Sequence, residues 1–298
     1  MRVLNFGSLN IDYVYTVDHI VRPGETLGSD GRAVYYGGKG LNQSIAAAKA
    51  GVPVFHAGKV GAGSEGLLEE CAKYGVDTRY IRKTDEPTGH TFIQVDKNGQ
   101  NSIVLFGGSN QTIEREQIDA VLDAFDAGDF IVLQNEINDL AYIIQQAAGR
   151  GLKIILNPSP CEMSLLACDL SPVSWLILNE VEGEQITGKQ DSESILRALS
   201  ERYPNTGAVL TLGDQGAFCQ SGGDRLFQPC RRVTPVDTTA AGDTFLGYFV
   251  AGLVEGLDMP QVMERASTAA SIAITRRGAA PSIPDREEVL RVLKEEKE

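Results

Sequence analysis

Short apolar runs alternate with amphipathic runs along almost the whole of this chain. The strand-like runs lie at residues 3–6, 52–60, 130–134, 152–156, 175–178 and 208–212. The helix-like runs lie at 41–50, 66–74, 115–125, 140–148, 192–202, 243–254, 261–276 and 286–297. A strand followed by a helix must come back parallel, because only adjacent antiparallel strands are joined by tight turns. A parallel sheet needs cover on both faces. The expected fold class is therefore α/β, a central mostly parallel sheet flanked by helices, in one domain spanning residues 1–298. Two regions break the rhythm. Residues 13–36 carry β-branched and aromatic side chains around Pro23-Gly24, and residues 78–106 read as three short strands with a turn at Lys97-Asn98-Gly99. The expectation is that both join in one small β-sheet projecting over the main domain as a lid. The tail Lys294-Glu295-Glu296-Lys297-Glu298 reads as a solvated helix end.

Charge narrows the partners. With 27 basic and 40 acidic residues the net charge is −13, which argues against a nucleic-acid or anionic-membrane surface. A small phosphorylated ligand is still compatible, since it needs only local donors. Five scattered cysteines without a C-x-x-C pair, and three distant histidines, point away from zinc and from a disulfide framework. A reducing cytoplasm is the expected compartment. The opening Arg2-Val3-Leu4-Asn5-Phe6-Gly7 reads as a strand and turn and not as a secretory signal. No apolar run reaches the length of a membrane span.

Three glycine-rich stretches carry possible chemistry. Asp237-Thr238-Thr239-Ala240-Ala241-Gly242-Asp243-Thr244-Phe245 runs into an apolar helix-like segment. Small residues before a helix N-terminus make an anion site. Asp243 would repel a phosphate there, unless it takes a proton from an attacking hydroxyl. Read alone, Gly-Asp-Thr is also an ordinary capped helix start. Gly37-Gly38-Lys39-Gly40-Leu41-Asn42-Gln43-Ser44 leads into a second helix that stops at Gly51. It can serve a ligand or simply close helix packing, and it is not a Walker A motif. Gly61-Ala62-Gly63-Ser64-Glu65-Gly66 spells G-x-G-x-x-G between a strand and a helix. That raises a second reading, an NAD-dependent oxidoreductase.

The first two stretches resemble the paired signatures of the ribokinase-like (PfkB) family of carbohydrate kinases. Other fragments resemble the family in the right order. They are Gly7-Ser8-Leu9-Asn10-Ile11-Asp12, Leu133-Gln134-Asn135-Glu136, Asn179-Glu180-Val181-Glu182 and Thr211-Leu212-Gly213-Asp214-Gln215-Gly216. Thr275-Arg276-Arg277-Gly278-Ala279-Ala280-Pro281-Ser282-Ile283-Pro284 is similar to the ribokinase form of the C-terminal segment.

The resemblance implies an ATP-dependent sugar kinase with Mg²⁺ and a monovalent cation, K⁺. It implies Asp243 as the base and the N–H groups of Ala240, Ala241, Gly242 and Asp243 as the cradle of the transferring phosphoryl group. Asn10, Asp12, Gly38, Asn42 and Glu136 would bind sugar hydroxyls, and Lys39 would reach the terminal phosphates. Asn179 and Glu182 would organise Mg²⁺ and its waters. Thr211, Leu212, Gly213 and Gly216 would line the nucleotide pocket. Asp237, Thr239, Ala273, Arg276, Gly278 and Ser282 match the monovalent-cation positions. D-ribose, converted to D-ribose 5-phosphate, is the implied substrate, with deoxyribose, fructose or a nucleoside as alternatives. Two departures bear on the sugar. Ala62-Gly63-Ser64-Glu65 stands where acidic residues are common, and Ser109 stands in Gly107-Gly108-Ser109-Asn110 where alanine is usual. Apolar positions in the expected lid, such as Val14, Val34, Phe92, Ile93, Val104 and Leu105, exceed what a solvent-facing flap should expose, so a homodimer through the lid is expected.

Overall fold

The computed structural model describes residues 1–295; the expected helix at 286–297 and the charged tail extend beyond the described residues. Thirteen strands and ten helices are described. The strands are β1 (Val3–Phe6), β2 (Asn10–Thr16), β3 (Gly31–Gly37), β4 (Val54–Val60), β5 (Asp77–Lys83), β6 (Gly89–Val95), β7 (Asn101–Phe106), β8 (Phe130–Gln134), β9 (Lys153–Asn157), β10 (Trp175–Asn179), β11 (Gly207–Thr211), β12 (Gly216–Ser221) and β13 (Asp224–Pro229). The helices are α1 (Lys39–Lys49), α2 (Glu65–Lys73), α3 (Arg115–Leu122), α4 (Leu140–Gly149), α5 (Met163–Leu166), α6 (Glu180–Thr187), α7 (Ser192–Arg202), α8 (Ala241–Glu255), α9 (Met259–Ala273) and α10 (Arg286–Glu295).

Nine strands form one sheet in the order β13-β12-β11-β10-β9-β8-β1-β4-β5. The seven strands from β11 to β5 pair in parallel, and a β12–β13 hairpin adds an antiparallel edge. The expected α/β class is what the chain adopts. Each inner strand alternates its side chains between two apolar layers. In β8, Phe130 and Val132 enter the layer under α1, α8 and α9, whereas Ile131 and Leu133 enter the layer under α3, α4 and α7. Period-two alternation with both faces apolar is the signature of a fully covered strand. Helix α8 is apolar nearly all round because it lies between α1 and α9; Phe245, Leu246, Tyr248, Phe249, Val250 and Ala251 are all buried. Each large side chain buried there contributes about 1.5–3 kcal/mol. The one polar group among them, the Tyr248 hydroxyl, donates to the Pro284 carbonyl at 2.8 Å.

The smaller sheet has the order β3-β2-β6-β7. Its pairings β2–β3 and β6–β7 are antiparallel and β2–β6 is parallel, with Asn10 opposite Gly37 and Gly89. One strand differs from the sequence reading. The first of three strands expected within 78–106 is β5, which pairs in parallel with β4 at the edge of the large sheet. The chain needs a right-handed βαβ return after α2, and the edge of β4 is open to receive it. The smaller sheet is therefore built from residues 10–16, 31–37, 89–95 and 101–106. Several large apolar side chains on it are exposed, including Val34, Tyr35, Phe92, Ile103, Val104, Leu105 and Phe106.

The G-x-G-x-x-G stretch has a packing explanation. A Cβ on Gly61 would lie 2.0 Å from the Glu86 carbonyl, and one on Gly66 would lie 1.8 Å from the Tyr36 hydroxyl. These glycines let the turn after β4 and the start of α2 press against the 86–88 segment and β3.

Candidate active site

The order of the large sheet reverses direction of growth at β1. From β1 the chain adds β4 and β5 on one side, then β8 to β11 on the other. A crevice opens at the carboxyl ends of strands at such a switch point. Ser8 follows β1 and Glu136 follows β8, and here they meet: the Ser8 hydroxyl donates to Oε2 of Glu136. The same oxygen accepts the backbone N–H of Lys39 at 3.1 Å. The glycine turn brings α1 into this crevice. Gly38 has φ of 97°, in the left-handed region, and a Cβ on Gly40 would stand 2.4 Å from the Ser8 nitrogen. Only glycine allows that turn and that approach. The close-packing reading of the stretch holds; Lys39 lines a cavity and Asn42 is buried beneath it.

Helix α8 enters the crevice from the far end of the sequence. Its N-terminal cap, Ala240, has φ of 58°, one of two non-glycine residues with positive φ among those described. The turn is braced by Ala240, whose carbonyl accepts both the N–H and the hydroxyl of Thr244 at 2.8 Å. The Ala241 N–H is directed to the Thr238 carbonyl at 3.3 Å. Asp243 lies in the first turn. Its Oδ2 accepts from Nδ2 of Asn42 at 3.1 Å and its Oδ1 from Nε2 of Gln43 at 2.9 Å.

Electrostatics tie these groups together. Burial raises the Asp243 carboxyl above its ordinary range, against the opposing pull of Lys39, Gln43 and Asn42. Burial also raises Glu136, again against Lys39. For Lys39 burial works to lower the ammonium, but Asp243, Glu136 and Glu182 outweigh it, and the net shift is upward. Lys39 is thus the cation shared by three carboxylates.

Two cavities border these groups, one on Lys39 and Asp243 and the other on Glu136. One, of about 240 Å³, is lined by Lys39, Asn157, Asn179, Glu182, Thr211, Ala240, Ala241, Gly242 and Asp243 among others. The other, of about 530 Å³, is lined by Asn10, Asn110, Asn135, Glu136 and Leu105 among others, Leu105 coming from the smaller sheet. Asn10 is fixed by Asn110, whose Nδ2 donates to its Oδ1 at 2.8 Å. Asp12 stands on the smaller sheet, accepting from the Thr91 hydroxyl at 2.5 Å, and burial raises its carboxyl.

Asn179 and Glu182 form a reciprocal cap on α6. The Asn179 side chain accepts the Glu182 N–H at 2.9 Å, and Oε2 of Glu182 accepts the Asn179 N–H at 3.0 Å. Both residues also line the smaller cavity. Of the expected nucleotide loop, Thr211 lines the cavity. Leu212 is a core residue, and Gly213 and Gly216 shape the turn into β12.

Of the expected cation positions, Asp237, Thr239 and Gly278 are joined by hydrogen bonds. Asp237 Oδ1 accepts the Thr239 N–H at 2.9 Å and its hydroxyl at 2.6 Å, and Oδ2 accepts the Gly278 N–H at 2.9 Å. These hydrogen bonds outweigh burial and hold the Asp237 carboxyl below its ordinary range. The Arg276 guanidinium turns away to Glu288 while its N–H bonds the Ala273 carbonyl at 3.0 Å. Ser282 caps its own short turn through the Ala279 carbonyl at 2.7 Å.

Ser8, Gln43, Asn110 and Asn157 are site residues to which the sequence reading assigned no role. Ser8, Gln43 and Asn110 lay inside stretches already singled out, but an uncharged side chain between known motif positions carries no spacing signal of its own.

A carboxylate at the mouth of a helix-terminus anion site, beside a shared lysine and two polar cavities, defines a kinase that phosphorylates a hydroxyl. A family model described as pfkB family carbohydrate kinase matches residues 2–286, and the chain belongs to that family. Ribokinase of Haemophilus influenzae is 35% identical over 297 residues, covering 96% of both chains. The crystal structure of ribokinase from Thermotoga maritima superposes with a TM-score of 0.89 at 33% identity, over 98% of this chain and 99% of that one. The structure of Arabidopsis thaliana ribokinase complexed with ribose and ATP has a TM-score of 0.86 at 29% identity, over 98% of each. The protein is a sugar kinase, and the oxidoreductase reading of the Gly61 stretch has no support. No helix among the described residues is long and apolar enough to cross a membrane.

Proposed function

We propose that the protein transfers the γ-phosphate of ATP to the 5-hydroxyl of D-ribose. The observation that carries the reading is Asp243, half-buried in the first turn of α8, held by the Asn42 and Gln43 amides and lining the smaller cavity. Asp243 takes the proton of the sugar hydroxyl. The oxygen so freed attacks the γ-phosphorus, the bond to the β-phosphate oxygen breaks, and ADP leaves. The transition state is loose, so alignment and charge neutralisation matter more than base strength. The backbone N–H groups of Ala240, Gly242 and Asp243 and the Lys39 ammonium stabilise charge on the moving phosphoryl group, while the Ala241 N–H, expected to join them, is turned to the Thr238 carbonyl.

Asn10, Asp12, Gly38, Asn42 and Glu136 bind the sugar in this reading. Oδ1 of Asn42 is buried without a partner, as suits a group reserved for a ligand hydroxyl. Thr211, Gly213 and Gly216 flank the nucleotide. Glu182 and Asn179, which line the smaller cavity, would hold a hydrated Mg²⁺ together with nucleotide phosphates. When bound, Mg²⁺ neutralises charge on those phosphates. K⁺ fits the carbonyl-rich segment near Ala273, Arg276, Gly278 and Ser282 opposite Asp237 and Thr239, where it would brace the anion turn. The smaller sheet acts as a lid over the sugar, and its exposed apolar side chains pair it with a second copy. A cytoplasmic setting suits the five free cysteines.

An ATP-coupled assay over D-ribose, deoxyribose, fructose and nucleosides tests the assignment. D-ribose should give the highest kcat/KM. Preference for any other acceptor overturns the choice of sugar.

A further inference from the structure

On the reading of Asp243 as the base, we infer that Gln43 is a positioning residue, itself oriented by Gln134 and Asn5, which fixes the Asp243 carboxylate for transfer. Three side chains from different elements form one chain of hydrogen bonds behind the carboxylate. Gln43 of α1 donates from Nε2 to Asp243 Oδ1 at 2.9 Å. Gln134, at the end of β8, donates from Nε2 to Gln43 Oε1 at 2.6 Å and to Asn5 Oδ1 at 3.1 Å. Asn5, in β1, donates from Nδ2 to the Gly40 carbonyl of the glycine turn at 3.0 Å. Asn5 and Gln43 are 1% exposed and Gln134 is fully buried, so water does not substitute for any link.

The direction of the chain is set by chemistry. An ionised carboxylate only accepts, so Gln43 must turn its NH₂ to Asp243 and its carbonyl to Gln134. Gln134 must then present its NH₂ to Gln43, which leaves its own Oε1 buried without a partner. A buried acceptor left unmade is unfavourable for stability. Turning the Gln134 amide over would set two carbonyls against each other, so the Asp243 end governs. Room for that carbonyl comes from Gly7, where a Cβ would stand 2.2 Å from Oε1. The strand register explains the meeting: Asn5 and Gln134 continue the alternation of Val3, Phe130 and Val132 on the face covered by α1 and α8. Gln43 thereby holds one carboxylate oxygen from the sheet side while Asn42 holds the other.

The charged groups facing Asp243 are Lys39 and Glu136, with Glu182 beyond Lys39. Substitution in the amide chain alters none of them. Gln43→Met should lower kcat about 10- to 100-fold, leave KM for ribose and ATP within about threefold, and move the acid limb of kcat to higher pH, because a donor to the charged form is lost. Gln134→Met, which does not touch Asp243, should move the limb the same way with a smaller loss of kcat. The double variant should be no slower than Gln43→Met, since both act through one bond. Full kcat in folded Gln43→Met, or losses that multiply in the double variant, overturns the inference. If Gln43→Met does not fold, Gln134→Met decides: lowered kcat at unchanged KM supports the chain, and unchanged kcat overturns it. A wild-type protein that phosphorylates no sugar would instead remove the functional reading. Carboxyl ¹³C NMR of Asp243 then still decides for the amide chain, a raised pKa in the variants supporting it and an unchanged one overturning it.

Discussion

Asn42 and Asp243 lie 201 positions apart and meet through a 3.1 Å hydrogen bond from Nδ2 to Oδ2. That contact joins the glycine turn near the start of the chain to the anion turn near its end. The oxygen of the Asn42 amide, Oδ1, is buried with no partner. With an amide in place of Asp243, Asn42 can turn over and accept through this oxygen instead of donating, and this bears on how the site responds when its acid is removed.

The raised pKa of Asp243 has a definite sign for both activity and stability. As a base it works ionised, so kcat should fall as pH drops through a pKa above the usual carboxylate range. A group whose folded pKa is raised adds stability below its unfolded pKa and loses it as pH rises through the folded value. Ionised Asp243 therefore weakens the fold at neutral pH. Asp243→Asn, with Asn42 reversed to accept from the new amide, should melt at a higher temperature than the wild type at pH 7. A lower Tm, measured by calorimetry, counts against this account of the site.

Asp237 ties the anion turn to the 274–282 segment through Thr239 and Gly278. Asp237→Ala should abolish stimulation by K⁺ and lower kcat by about tenfold, with KM for the sugar little changed. Initial rates in KCl, NaCl and a bulky organic chloride at constant ionic strength provide the check. Equal stimulation by K⁺ in wild type and variant contradicts a cation at this position.

Ala240 holds a left-handed conformation that costs a non-glycine residue about 1–2 kcal/mol. Glycine relieves that strain while adding about 0.4–1 kcal/mol of unfolded-state entropy. Ala240→Gly should therefore raise stability by about 0.5 kcal/mol and lower kcat, because the turn that presents the N–H groups becomes looser. Urea unfolding would show the gain. A stability loss above about 1 kcal/mol would mean the strain is absent.

The apolar side chains left exposed on the smaller sheet, Val104 at 63% and Ile103 at 55% in particular, exceed what an isolated sheet of four strands keeps in water. Light scattering at micromolar concentration should give the mass of a dimer, and Val104→Lys should shift it to monomer. A monomer mass for the wild type removes the dimer and leaves the kinase chemistry untouched.

The sequence was a good guide where an element declares itself locally. The β8 run Phe130-Ile131-Val132-Leu133 is apolar on both faces, and that alone demands a covered parallel sheet. Asp243 could be singled out because an acid in an anion loop has few uses besides the base proposed for it. What was not legible depends on partners. Thr78-Arg79-Tyr80-Ile81-Arg82 reads as a strand, but nothing in it says whether it joins the large sheet or the small one; only the open edge of β4 decides. The glycines at 61 and 66 copy a nucleotide fingerprint because close packing and close phosphate approach make the same steric demand. Asn5, Gln43 and Gln134 lie in stretches quoted for other reasons, and nothing local marks them as a unit. They become a unit only when α1, β8 and β1 are stacked, and an amide in a strand looks the same whether it faces solvent or a carboxylate.

Transfer of labelled γ-phosphate from ATP to D-ribose in a single turnover tests the central claim most directly. Wild-type protein should form ribose 5-phosphate, and Asp243→Asn should bind ribose and ATP within a few fold of wild type while transferring about 10²- to 10⁴-fold more slowly. Transfer at the wild-type rate by the Asp243→Asn protein would contradict the role given to this carboxylate.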